Sequence, residues 1–258
     1  MNQELLELTG LGQDYLEQGF YVLLRVGPIV GFMPGFGERV VPLQVKLVLA
    51  LCFSIAVLPV LDTASLTAAH EAGFVATLAI ETSKGLFLGL SLRFFVILLQ
   101  TAGSMAAQAT SLAQLFAGSS AEPMPAIGHL LVVGALALAM VMDLPLRVLE
   151  FIVVSYETFP LSSGIDLGLF AEWAGKLVSK CFALSFSLAA PFLIMSLLYN
   201  MTLGVINRAM PQLMVAFVGA PVITAGGLLF LFLFSGIILS AWWQAFEQFL
   251  FRPEIFVR

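Results

Sequence analysis

Two histidines, two cysteines and sixteen acidic residues are the groups in this 258-residue sequence that could hold a metal or move a proton. His70 opens the run HEAGF, which lacks the second histidine that a zinc-binding HExxH turn requires. His129 has no cysteine or carboxylate at ligand spacing. Both histidines read as packed or interfacial residues. Cys52 and Cys181 sit in separate apolar runs and read as small buried hydrophobes. There is no GxSxG elbow, and no serine stands near a histidine and an aspartate in a triad pattern. No Walker-type loop is present, so the chain cannot drive transport with ATP by itself. The carboxylates read as ion-pair members rather than as a general acid and base. The expectation is therefore a protein that is not an enzyme and takes no cofactor.

The composition says what solvent these residues need. Hydrophobic residues make up 60% of the chain and charged residues 10%, against about 25% charged in a soluble domain. The mean hydropathy is +1.03. A soluble fold of this length could not hide so much apolar surface, so membrane lipid is the expected environment. The net charge of −5 and the scattered lysines and arginines exclude a nucleic-acid partner. The N-terminal MNQELLELTG carries acids and no basic residue before Arg25, which does not fit a secretory signal. Targeting is expected from the internal apolar segments.

Those segments are Phe20–Met33, Val40–Leu61, two segments or one long bent helix within Gly73–Gln100, Ala126–Tyr156 broken near Asp143-Leu144-Pro145, Cys181–Ile206 and Leu213–Phe246. No strand-like alternation persists, and helices are the expected solution in lipid. Phe159–Trp173 and Ala117–Pro125 read as the polar linkers. Arg25, Lys46, Glu81, Lys84, Arg93, Asp143, Arg147, Glu150 and Arg208 lie in or beside the spans. At about 3 kcal/mol for each central charge, they cannot all face acyl chains. Glu81 with Lys84, Asp143 with Arg147, and Arg147 with Glu150 have helical pairing distance. Ser185, Ser196, Asn200 and Asn207 fall within roughly 60° on one helix face. Such a stripe either bonds a neighbouring helix or lines water. Gly85 and Gly89 form a GxxxG that permits close helix packing.

Three stretches carry a family resemblance: LLRVGPIVGFMPGFGERVVPLQVKLVLALCFSIAVLP from Leu23, the Gly-rich helix from Gly85 leading into TAGSMAAQATSLAQLF, and NRAMPQLMVAFVGAPVITAGG from Asn207. Together they resemble the FliR family of the flagellar type III secretion export gate, whose virulence-system relatives are the SctT type. The resemblance spans nearly the whole chain. It implies an all-α fold of membrane-associated helical hairpins with broken helices, assembling into a helical pore complex. It also implies one export-gate domain over residues 1–258. The implied function is a structural subunit of the inner-membrane export pore in the flagellar basal body, built with FliP-type and FliQ-type subunits. An FlhB-type subunit lies at the entrance, unfolded proteins are the exported substrates, and energy comes from the proton motive force and a separate ATPase. The resemblance further implies a plug or gate loop over about Gln108–Pro125, offering Gln108, Leu112, Leu115, Phe116 and Met124. The loop departs from the family by carrying Ala106, Ala107 and Ala109 where many members have glycine. Asn207, Arg208, Pro211 and Gln212 would form a cytoplasmic hairpin loop, as a constriction and FlhB contact or as a plain helix turn, with Gly219 and Pro221 shaping it. The competing expectation is a small-molecule channel or secondary transporter, whose internal symmetry is not found in the sequence.

Overall fold

A backbone that enters lipid has to bond to itself, and among the described residues this chain does so through helices, with no strand. The computed structural model describes residues 2–60, 73–111, 126–161, 163–164, 166–210 and 215–252, with side chains placed over most of that range. The order is α1 (Asn2–Phe32), α2 (Leu43–Val57) continued by a 3-10 turn (Leu58–Val60), α3 (Phe74–Ser111), α4 (Ala126–Val141), α5 (Leu144–Thr158), α6 (Leu167–Ala209) and α7 (Val215–Phe251). Leu43–Val60, Phe74–Ala109, Leu167–Ala209 and Val222–Phe251 are each long and apolar enough to cross a membrane. The bent pair α4 and α5 makes a fifth if it is one broken span. The expected all-helical membrane fold is therefore what the chain adopts.

α3 has 38 residues and α6 has 43. At 1.5 Å per residue these helices run about 57 and 65 Å, near twice a hydrocarbon core of about 30 Å. Tilt cannot absorb that excess, so part of each helix stands outside the acyl region.

The break at Asp143 falls where the sequence places it. Asp143 has φ 56°, the left-handed conformation that aspartate tolerates better than most side chains. Pro145 then occupies the first turn of α5, where its missing N–H costs nothing. Pro28 and Pro191, by contrast, lie inside α1 and α6 without ending them.

The linker expected over Phe159–Trp173 is shorter than the sequence suggests. Asp166 Oδ1 accepts from the backbone N–H of Gly168 at 2.9 Å and of Leu169 at 3.3 Å, so α6 starts at Leu167. Its first turns bring Phe170 and Trp173 against Phe87, with ring centroids 4.4 Å apart in both cases. Cys52 is also corrected. It is exposed on α2, while Cys181 is buried.

The chain forms two compact units. The first comprises Met1–Phe94, Met142–Gly175 and Leu250–Arg258. In it, α3 packs on α1 through the GxxxG glycines. A Cβ on Gly89 would sit 2.7 Å from the Pro28 carbonyl oxygen, and one on Gly85 would strike the Arg25 carbonyl. The turn after α1 is tied down from two sides: Lys46 Nζ donates to the Gly37 carbonyl at 3.0 Å, and Arg93 pairs with Glu38.

The second unit comprises Phe95–Val141 and Lys176–Phe249. Phe95 sits between Phe246 and Phe249, each 5.1 Å away centroid to centroid. Trp242 is fully buried and donates Nε1–H to the Phe95 carbonyl at 2.8 Å. α3 is the most enclosed span, 56% buried against 22% for the α2 and α7 spans. The outer faces of α2 and α7 show Leu43, Ile55, Phe232 and Ile237 uncovered by the chain.

Candidate functional site

Charge placed in an apolar helix must find a partner or leave the lipid. In the first unit Arg25 of α1, with Glu81 and Lys84 of α3, meet in a cluster sealed from solvent. Arg25 Nε donates to Glu81 Oε2 at 2.6 Å, and Nη2 lies 2.5 Å from the same oxygen but out of line for a hydrogen bond. Lys84 Nζ takes the other oxygen, Oε1, at 3.0 Å. Its remaining donors go to the Pro160 carbonyl at 2.8 Å and Ser163 Oγ at 3.1 Å, so all three ammonium hydrogens are used.

Two cations and one carboxylate leave a net positive charge. The C-terminal end of α5 answers it. Arg25 Nη1 donates to the Ser155 carbonyl at 3.3 Å, among the last four of that helix. That end carries about half a negative charge from the aligned peptide dipoles. The Arg25 guanidinium also stacks 3.8 Å from the centre of the Tyr156 ring. The sequence flags Arg25 and the Glu81–Lys84 pair. It gives no sign that Arg25 completes the cluster, because 56 residues separate Arg25 from Glu81.

In the second unit the polar stripe of α6 bonds α3. Ser185 Oγ reaches the Leu98 carbonyl at 3.0 Å, and Ser196 Oγ reaches the Ala109 carbonyl at 2.6 Å. Both pairs are 87 residues apart, so α3 and α6 run parallel in constant register here. Eleven residues make about three helical turns, which returns the same face to the contact. For Ser185 and Ser196 the interhelical reading of the stripe holds. Asn207, on the same stripe, is exposed in the last turn of α6.

Gln108 lies within α3 with its side chain exposed, because the helix continues through the alanines to Ser111. Leu112, Leu115, Phe116 and Met124 lie outside the described residues, as do Pro211 and Gln212. Arg208 is exposed in the last turn of α6, where a cation suits the helix C-terminus. Gly219 and Pro221 fall inside α7 rather than in a turn. Gly219 lies close to α6: a Cβ there would meet the Tyr199 hydroxyl.

Among the described residues no group of three or more His, Cys, Asp or Glu could hold a metal ion. A groove of about 290 Å³ in the second unit is lined by five leucines, Phe232 and Ser235, and so offers one hydroxyl and no titratable group. The distinctive chemistry of the described molecule is thus buried charge pairing and helix-to-helix hydrogen bonding.

A family model described as bacterial export proteins, family 1, matches residues 16–249. The flagellar biosynthetic protein FliR of Caulobacter vibrioides is 31% identical over 234 residues, covering 89% of this chain and 92% of that protein. The chain belongs to the FliR family. The FliR of Escherichia coli K12 is 29% identical, covering 83% of each chain, and that of Aquifex aeolicus 28%, covering 92% of this chain and 93% of its own. This FliR-family chain is a membrane protein of the flagellar export apparatus. The resemblance read from the three sequence stretches is thereby established.

Proposed function

We propose that this chain is a structural, non-enzymatic subunit of the flagellar type III export gate in the bacterial inner membrane. In this reading residues 1–258 act as one export-gate domain that forms the protein-export pore with FliP-type and FliQ-type subunits. An FlhB-type subunit contacts the cytoplasmic hairpin at Asn207, Arg208, Pro211 and Gln212. Unfolded proteins are the cargo. The segment that leaves α3 is the gate, with Gln108 at its stem and Leu112, Leu115, Phe116 and Met124 sealing it, since apolar side chains close a constriction by excluding water.

The observation that carries this reading is the family match across most of the chain. Two physical features support it. The chain itself buries 22% of the α2 and α7 spans, which leaves apolar faces for lipid and for neighbouring subunits. Arg25, Glu81 and Lys84 are buried and joined to one another, a contact that ties α1 to α3.

The test is mild-detergent purification of the tagged chain from its native membrane, with the partners identified by mass spectrometry. One large complex containing two other small hydrophobic proteins is expected. Recovery of this chain alone, as a monomer or homo-oligomer, would overturn the reading in favour of a small-molecule channel or transporter.

A further inference from the structure

Three cations lie at the turn that joins α1 to α2, and the chain uses two of them. Lys46 Nζ donates to the Gly37 carbonyl at 3.0 Å, and Arg93 pairs with Glu38. Arg39 is exposed and has no hydrogen-bond or ion-pair partner among the described residues. The turn that carries it is also held from within. Gly35 takes φ 84°, which side chains other than glycine rarely adopt. The Gly37 N–H donates to the Met33 carbonyl at 2.7 Å, and the Val41 N–H to the Glu38 carbonyl at 3.1 Å. Beside Arg39, Val40 stands 92% exposed and Leu43 80% exposed. A tethered turn thus displays one free guanidinium and two bare apolar side chains.

We propose that Arg39, Val40 and Leu43 form an interfacial anchor: the Arg39 guanidinium holds the phosphate of an anionic phospholipid, and the two apolar side chains enter the edge of the acyl layer. Depth follows from length. Leu43–Val60 has 18 residues, about 27 Å at 1.5 Å per residue, against a hydrocarbon core of about 30 Å. A span with no length to spare starts at the acyl boundary, which is where Leu43 sits. Four residues reach at most about 14 Å, which keeps Arg39 in or beside the headgroup layer. Lys46, one turn inside the span, points the same way: its ammonium turns back to the Gly37 carbonyl, as a snorkelling lysine turns to the interface. A free cation at that depth meets lipid phosphates, whose oxygens the arginine fork matches. This charge and this depth favour lipid over a neighbouring subunit as the occupant. The anchor requires only a membrane protein, so it stands or falls apart from the export-gate reading.

The test uses the full chain with whatever subunits accompany it, purified from its native membrane into nanodiscs of phosphatidylcholine and phosphatidylglycerol. Cys52→Ser removes the exposed thiol, Cys181 is buried, and Val40→Cys carries a fluorophore. The same chain without Val40→Cys gives the labelling background, and Leu43→Cys is the second label site. Lipids brominated near the glycerol end of the acyl chain should quench the label, and aqueous iodide should not. Brominating one lipid class at a time reads the local preference at the label, which should favour phosphatidylglycerol. Arg39→Gln should lower that preference about fivefold, the contribution of one cation near a charged membrane surface. Arg39→Lys should keep most of it. Quenching by iodide and not by brominated lipid places the turn in water and overturns the proposal. Shielding from both quenchers means a protein subunit covers the turn, and overturns it as well. An unchanged lipid preference in Arg39→Gln overturns the phosphate contact.

Discussion

Arg25 and Glu81 stand 56 residues apart in the chain and form a fully buried ion pair, Nε to Oε2 at 2.6 Å. The third member, Lys84, makes the charge balance testable. Glu81→Ala leaves two buried cations facing each other, and removing one partner of a buried pair costs about 3–5 kcal/mol. Lys84→Met leaves a neutral Arg25–Glu81 pair and should cost less, about 1–3 kcal/mol for the acceptors it abandons at Pro160 and Ser163. Membrane levels of tagged variants and thermal scans in detergent should rank Glu81→Ala well below Lys84→Met. Equal losses would show that volume, not charge, governs the cluster.

Alanine for glycine inside a helix normally stabilises by about 1 kcal/mol. Gly85→Ala should reverse that sign, because the new Cβ meets the Arg25 backbone and pushes Arg25 away from Glu81. Gly27→Ala, in α1, meets nothing within 4 Å and should be neutral or mildly stabilising. Thermal midpoints of the two variants, measured side by side, should move in opposite directions.

Glu38 and Arg93 join the turn after α1 to α3, with each side chain about a quarter exposed. A pair so placed contributes about 0–1 kcal/mol and weakens with salt. Glu38→Arg alone should impair motility by setting two like charges together, and adding Arg93→Glu should recover it. A double variant no better than the worse single one would mean the contact is incidental.

The gate reading places Phe116 and Met124 at the seal. Replacing both by glycine should raise ion conductance through the assembled complex while leaving its subunit composition intact. Planar-bilayer or membrane-leak measurements decide it, and unchanged conductance would remove these residues from the seal.

Composition and pattern alone determined that this is an all-helical membrane protein. Such a balance of 60% hydrophobic and 10% charged residues has no stable alternative in water. The break at Asp143-Leu144-Pro145 was equally legible, because left-handed tolerance and proline restriction act within one turn. The close packing at Gly85 and Gly89 and the pairing of Glu81 with Lys84 follow from spacing along one helix. Even the start of α6 had a local signal in Asp166, hidden by the polar look of its surroundings.

What the tertiary structure decided lies between helices. Only folding brought Arg25 to Glu81, the end of α5 to both cations, and Ser196 to the carbonyl of Ala109. A side chain's type announces that it needs a partner. The partner here is a carbonyl or carboxylate on another helix, 56 to 130 residues away, and the crossing that presents it is set by packing the whole chain. The polar stripe on α6 likewise admitted both water and a neighbouring helix as its match, and the register of α6 on α3 selected the helix for Ser185 and Ser196.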